Sequence, residues 1–132
     1  MPSSSHLAKT TTLALCGAGV VLHLYTVFFK AEGGMDAIAF LIGLLLWSCT
    51  PYAIAALLAR GRHAVWGLGA ATACLVADGF MHYSVFIAPK GSTAALGLLF
   101  MPLWNLLVVG PAGALLFWLV HRVVGRQRGA AG

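Results

Sequence analysis

AVWGLGAATACLVADGFMHYSVFI, residues 64–87, holds one charged side chain, Asp78, in 24 residues. At ~1.5 Å rise per residue a helix of that length reaches about 36 Å, enough to cross a hydrocarbon core about 30 Å thick. A soluble helix this long would need a polar face along its whole length, and this stretch has none. Working outward, comparable apolar runs occupy roughly 11–29, 37–59 and 94–120, with 64–87 as the third of four. Hydrophobic residues make up 61% of the chain and charged residues 8%. A soluble domain of that composition would have no surface to offer water. The expectation is therefore an all-α integral membrane protein with four transmembrane helices in a single domain over residues 1–132.

Connections are short, at about 30–36, 60–63 and 89–92, which makes successive helices antiparallel neighbours in an up-down-up-down bundle. The formal charge of +5 does not point to nucleic acid, because the basic residues flank the apolar runs and form no stripe. They set orientation instead. Four crossings place Lys9, Arg60, Arg62, Arg122, Arg126 and Arg128 on one side and Lys30 and Lys90 on the other, beside Glu32 and Asp36. By the positive-inside rule both termini are cytoplasmic. Small size and the lack of an organelle-targeting signal lead to a bacterial inner membrane. Residues 13–17, LALCG, have something of a lipoprotein cleavage box around Cys16, but Leu15 is too large for it and the apolar run continues to Phe29, so the first span reads as an anchor. Residues 1–5 and 129–132 read as disordered tails.

An offset of 58 aligns Cys16, Tyr25, Val27 and Phe28 with Cys74, Tyr83, Val85 and Phe86, and Thr26 with Ser84. With one deletion Leu46-Trp47 falls on Leu103-Trp104. This suggests a tandem repeat of a two-helix hairpin; chance matches among common residues are the competing explanation. In the third span Gly67, Ala71, Cys74, Asp78 and His82 recur at steps of four, three, four and four, so they share one face. Gly67, Ala71 and Cys74 are small and mark helix packing. Pro51, Pro102 and Pro111 each remove a backbone donor, and kinks toward the bundle interior are expected there. Tyr52 and Trp66 on the inner side, and Tyr25 and Tyr83 on the outer, fit interfacial anchors. Ser92-Thr93 after Gly91 reads as the N-cap of the fourth helix.

Asp78 is the one acidic residue inside a span, where a charge costs roughly 2.5–3.5 kcal/mol on insertion scales and must be paired, protonated or wetted. His82, one turn away on the same face, is placed to bond that carboxylate. Measured from the outer helix ends, His23, Asp78 and Asn105 lie about 10, 13 and 16 Å deep at ~1.5 Å per residue. If they face inward, His23, Asp78, His82 and Asn105 form one polar cluster. In the structural reading the cluster fixes helix register, each interhelical bond contributing about 0.6 kcal/mol. In the functional reading favoured here, an Asp/His couple serves a small transport or channel component as a proton or cation relay. Two alternatives remain open at this point. One is a non-catalytic assembly, regulatory or immunity subunit that docks onto a larger membrane complex or onto copies of itself. The other is a redox protein holding haem or a divalent metal through His23, Asp78 and His82. Neither a cofactor motif nor an enzymatic motif is present: GxSxG, HExxH, a P-loop and a dinucleotide fingerprint are all missing.

Overall fold

The structure, a computed structural model, describes residues 4–30, 34–61, 64–88 and 94–130. Helix α1 (Ser4–Tyr25) continues into a π turn at Thr26–Lys30, and a short 3-10 turn at Met35–Ala37 leads into α2 (Ile38–Arg60). Helix α3 covers Ala64–Phe86. Helix α4 (Ala94–Trp104), a second π turn at Asn105–Val109 and α5 (Gly110–Ala130) follow one another without a break. Four helical stretches, Ser5–Lys30, Met35–Arg60, Ala64–Phe86 and Leu96–Gly129, are long and apolar enough to cross a membrane. The cap at Ser92-Thr93 and the connection residues Glu32, Gly33, Arg62, His63, Pro89, Lys90 and Gly91 lie outside the described residues.

Both outer helices run past the apolar stretches that announce them. Ser4 and Ser5 begin α1, and Gly129 and Ala130 end α5, so these parts of the expected tails are helical. Thr10 and Thr12 fold their hydroxyls back onto the carbonyls of His6 and Ala8. At the other end Arg122 lies over the Trp118 ring, 5.0 Å from its centroid, and Arg128 occupies the last turn, where a cation meets the negative end of the helix dipole.

Burial in this bundle is inverted relative to a water-soluble protein. Large apolar side chains face out, Phe29 being 77% and Phe80 71% exposed, while the buried set is small or polar: Ala55, Ala71, Cys16 and Cys74, with Thr12, His23, Ser48, Asp78, His82 and Asn105. An apolar exterior with a polar interior suits lipid as solvent and makes the chain a multi-pass membrane protein.

The pairs of touching residues give the relative directions. Along α1 and α2, Cys16 meets Tyr52 through its thiol, while further along α1 His23 shares a cavity with Leu44 and Ser48, so the numbering runs in opposite senses. Along α1 and α3, His23 meets Asp78 and Thr26 meets His82, so those two run together. Trp66 with Trp118, Cys74 with Asn105 and Met81 with Gly97 make α3 antiparallel to the last rod. Helix α3 touches every other helix. Small residues permit this. A Cβ on Gly67 would lie 2.6 Å from the Ala55 carbonyl oxygen, and Gly69 and Gly113 press so closely that a Cβ on either would strike the other's carbonyl. The face bearing Gly67, Ala71, Cys74, Asp78 and His82 is buried throughout. Gly69 lies beside that face and was not part of the sequence pattern.

The prolines act less uniformly than their positions suggested. Helix α2 remains α-helical through buried Pro51, and Pro102 is buried within α4. Pro111 is exposed, at the edge of a cavity between α2, α3 and α5. Its effect falls just upstream. The ring supplies no N–H and crowds the carbonyl four residues earlier, and the helix answers with the π turn over Asn105–Val109, in which the Gly110 N–H donates to the Asn105 carbonyl.

Candidate functional site

Asp78 is 1% exposed and accepts hydrogen bonds at both carboxyl oxygens from three other helical segments. Oδ2 takes the Tyr52 hydroxyl at 2.6 Å and His23 Nε2 at 3.1 Å; Oδ1 takes Asn105 Nδ2 at 2.8 Å. The Tyr52 hydroxyl and the Asn105 amide donate to the carboxyl group, and His23 Nε2 shares a hydrogen bond with it, so both Asp78 oxygens are engaged from neighbouring helices. Of the sequence candidates, the structure brings Asp78, His23 and Asn105 into direct contact.

The antiparallel arrangement accounts for this convergence. A helical side chain slants toward the N-terminus of its own helix. Asp78 on α3 and His23 on α1 slant toward one end of the bundle; Tyr52 on α2 and Asn105 on the last rod slant toward the other. Residues whose Cα atoms lie at different depths therefore meet at one level. This slant corrects the assignment of Tyr52 as an interfacial anchor. Its ring is 1% exposed, passes beside Gly19, where a Cβ would collide with it, and delivers its hydroxyl to Asp78.

His82 occupies the neighbouring position, but not as the spacing implied. Its Nδ1 donates to the main-chain carbonyl of Asp78 at 2.7 Å, so the ring bonds the backbone and not the carboxylate. A carbonyl four residues back is within reach of a ring that slants toward the helix N-terminus, whereas the Asp78 side chain slants away from it. Nε2 faces the Thr26 hydroxyl at 2.7 Å. Thr26 opens the π turn of α1 and also lies 3.0 Å from the Leu22 carbonyl. The His23 and His82 rings are tilted, with centroids 5.5 Å apart.

Metal or haem ligation finds little to build on. Among the described residues no group of three His, Cys, Asp or Glu is placed to hold a metal ion. His23 Nε2 is engaged with Asp78, and both nitrogens of His82 are engaged with Asp78 and Thr26. Cys16 and Cys74 are buried separately, each with its thiol toward a main-chain carbonyl of another helical segment, at Tyr52 and Asn105.

Two cavities adjoin the cluster. An apolar one of about 280 Å³ lies between α2, α3 and α5 and is lined by Pro51, Leu58, Trp66, Cys74 and Asn105. A small one of about 30 Å³ is lined by His23, Thr26, Ser48 and His82 with Val27, Leu44 and Leu98. Sequence reasoning missed Tyr52, Thr26 and Ser48. The available signal was depth: Tyr52 lies eight residues inside Arg60, about 12 Å at ~1.5 Å per residue, too deep for a headgroup anchor.

The fold and site define a multi-pass membrane protein with one buried carboxylate held by its helices. Compared with family models, characterised proteins and solved structures, the chain matches none.

Proposed function

We propose that this protein is a small transport or channel component of a bacterial inner membrane, and that Asp78, with His23 as its paired ring and His82 as an outer member, relays protons or small cations. The observation that carries the reading is the partner set of Asp78. Three different helical segments spend a side chain on one carboxylate that lipid would reject, and two titratable rings lie beside it. A group that binds one proton and is held by every helix of a bundle couples its charge to the way the helices pack. Support for an outer entrance comes from a cavity of about 450 Å³ lined by Lys30, Tyr25, Tyr83 and His82.

The six-to-two distribution of basic residues supports an up-down-up-down bundle with both termini inside. Tandem hairpins are supported by the matches at the 58-residue offset, Cys16 with Cys74 and Tyr25 with Tyr83 among them. A second reading, a subunit that docks on a larger membrane complex or on its own copies, draws on the exposed Phe28, Phe29, Phe40 and Leu46. Co-purification of a defined complex in mild detergent would favour it.

The test of the relay is proton flux in proteoliposomes. Asp78→Asn keeps the shape and removes the titratable group, and flux should fall to that of protein-free vesicles while the variant remains folded. Flux equal to wild type in a folded Asp78→Asn protein would end the proposal.

A further inference from the structure

We infer that the small cavity where α1, α2, α3 and α4 meet binds one water molecule, held by Ser48, Thr26 and His23, and that this water links His82 to His23. Its role as a link rests on the relay reading above; its presence does not.

The space is suitable. A water needs about 10–15 Å³ and two to four polar partners, and the cavity offers about 30 Å³. Its polar lining consists of His23, Thr26, Ser48 and His82. Ser48 is buried, yet its hydroxyl bonds no described residue, unlike Thr10, Thr12, Thr50, Thr72 and Ser84, which bond a carbonyl four residues back. His23 uses Nε2 on Asp78 and has no bond at Nδ1 among the described residues. Neither atom is sealed in, because the one buried side-chain polar atom lacking a partner among the described residues is Asn105 Oδ1. Two residues with a polar atom unused among the described residues therefore line a water-sized space between the helices.

Hydrogen counting at His82 shows what the water would connect. Nδ1 faces a carbonyl, which only accepts, so Nδ1 carries a hydrogen. If the Thr26 hydroxyl donates to Leu22, Nε2 must donate to Thr26 and His82 is a cation; if Thr26 instead donates to Nε2, His82 is neutral. Turning one hydroxyl accommodates either state without moving a heavy atom. From the cation, the Thr26 hydroxyl first turns its hydrogen from the Leu22 carbonyl to the water; Nε2 then gives its proton to Thr26 Oγ1 as Thr26 gives its own to the water, and the water gives one to His23 Nδ1. His23 then releases the Nε2 proton to Asp78 Oδ2. Each bond broken is matched by one formed, and the net change moves one proton from His82 to Asp78, leaving both histidines neutral. Ser48 is a positioning residue that holds the water.

The test uses the full chain with ¹⁵N-labelled histidine in lipid bilayers, and solid-state NMR in which magnetisation begins on water and is read on ring nitrogens. His23 Nδ1 should receive it in the wild type. It should lose it in Ser48→Val, which fills the space and removes the hydroxyl, and retain it in Ser84→Val, whose hydroxyl only bonds Phe80. Ser48→Ala serves if the valine does not fold, with a weakened His23 signal expected. No transfer to His23 in the wild type, or undiminished transfer in the Ser48 variants, would overturn the inference. Because the readout is not flux, a dry cavity in a protein that still needs Asp78 for flux refutes the water alone. A wet cavity with flux indifferent to Asp78→Asn refutes the relay alone.

Discussion

Tyr52→Phe removes one oxygen atom and leaves the ring in place beside Gly19 and His23, so its effect isolates the 2.6 Å bond to Asp78. The size of that effect depends on the charge of the acceptor. A hydrogen bond to an ionised group contributes about 1.5–3 kcal/mol and a neutral one about 0.5–1.5. Interhelical bonds in a membrane average nearer 0.6 kcal/mol, with about 1.7 the largest of the measured set. A double-mutant cycle separates the pair from its surroundings. Tyr52→Phe, Asp78→Leu and the double variant are compared with wild type by reversible unfolding in mixed detergent micelles. Asp78→Leu is preferable to Asp78→Asn here because an amide would still accept from the tyrosine. It strands the donors of His23 and Asn105 equally in both tyrosine backgrounds, so that penalty cancels in the cycle. A coupling energy of about 1.5 kcal/mol or more is expected for this buried bond to a carboxyl group, well above the average of about 0.6 kcal/mol for interhelical bonds in a membrane. Coupling indistinguishable from zero would refute the geometry of the site, and with it the reason for placing Tyr52 in the cluster.

Gly113→Ala should destabilise the protein by about 1–3 kcal/mol, the usual cost of overpacking, because the added methyl meets Ala73 and the Gly69 carbonyl with no flexible side chain to yield. Thermal unfolding in detergent checks this, and an unchanged midpoint would mean that α3 and α5 do not approach as closely as described. A fluorescent-protein reporter fused after Gly132 should be bright and an alkaline phosphatase fusion at the same point inactive, as befits a cytoplasmic terminus; the opposite pattern would reverse the sides assigned to the bundle.

How much of this was legible in the sequence follows from what each signal depends on. The four helices depend on length and apolarity alone, which are properties of each run by itself, and the structure has four such stretches. The buried face of α3 was readable because i, i+4 spacing on one helix needs no knowledge of neighbours. Tyr52 was readable only in part: its depth argued against a headgroup anchor, but its meeting with the Asp78 carboxylate depends on which faces of α2 and α3 pack together, which neither run states by itself. The bond from His82 went astray for a related reason. Spacing along a helix says which residues share a face, not whether a ring finds the side chain or the main chain of its neighbour. Thr26 and Ser48 carried no signal, because isolated hydroxyls in apolar helices usually bond their own backbone.

Asn105 bears on the difference between a clamp and a working site. Its Nδ2 donates to Asp78 while Oδ1 is buried with no partner among the described residues, which costs about 1–3 kcal/mol. Turning the amide over would set Oδ1 against Asp78 Oδ1, two acceptors face to face, unless the carboxyl carried a proton to share between them. In that turned state Nδ2 would be the atom left over. The site thus has two hydrogen-bond patterns that differ by one proton and one amide rotation, and each leaves a single polar atom of Asn105 unsatisfied. A leucine at 105 would remove the stranded amide oxygen but leave Asp78 Oδ1 without its donor, so Asn105 is needed at the site despite the unpaired oxygen. A network that must accept and release a proton at similar free energies gains from that incompleteness, because neither state is bound so completely that leaving it becomes slow. On the relay proposed above, the unpaired Oδ1 makes Asn105 the member of the cluster whose amide can turn as Asp78 gains or loses a proton.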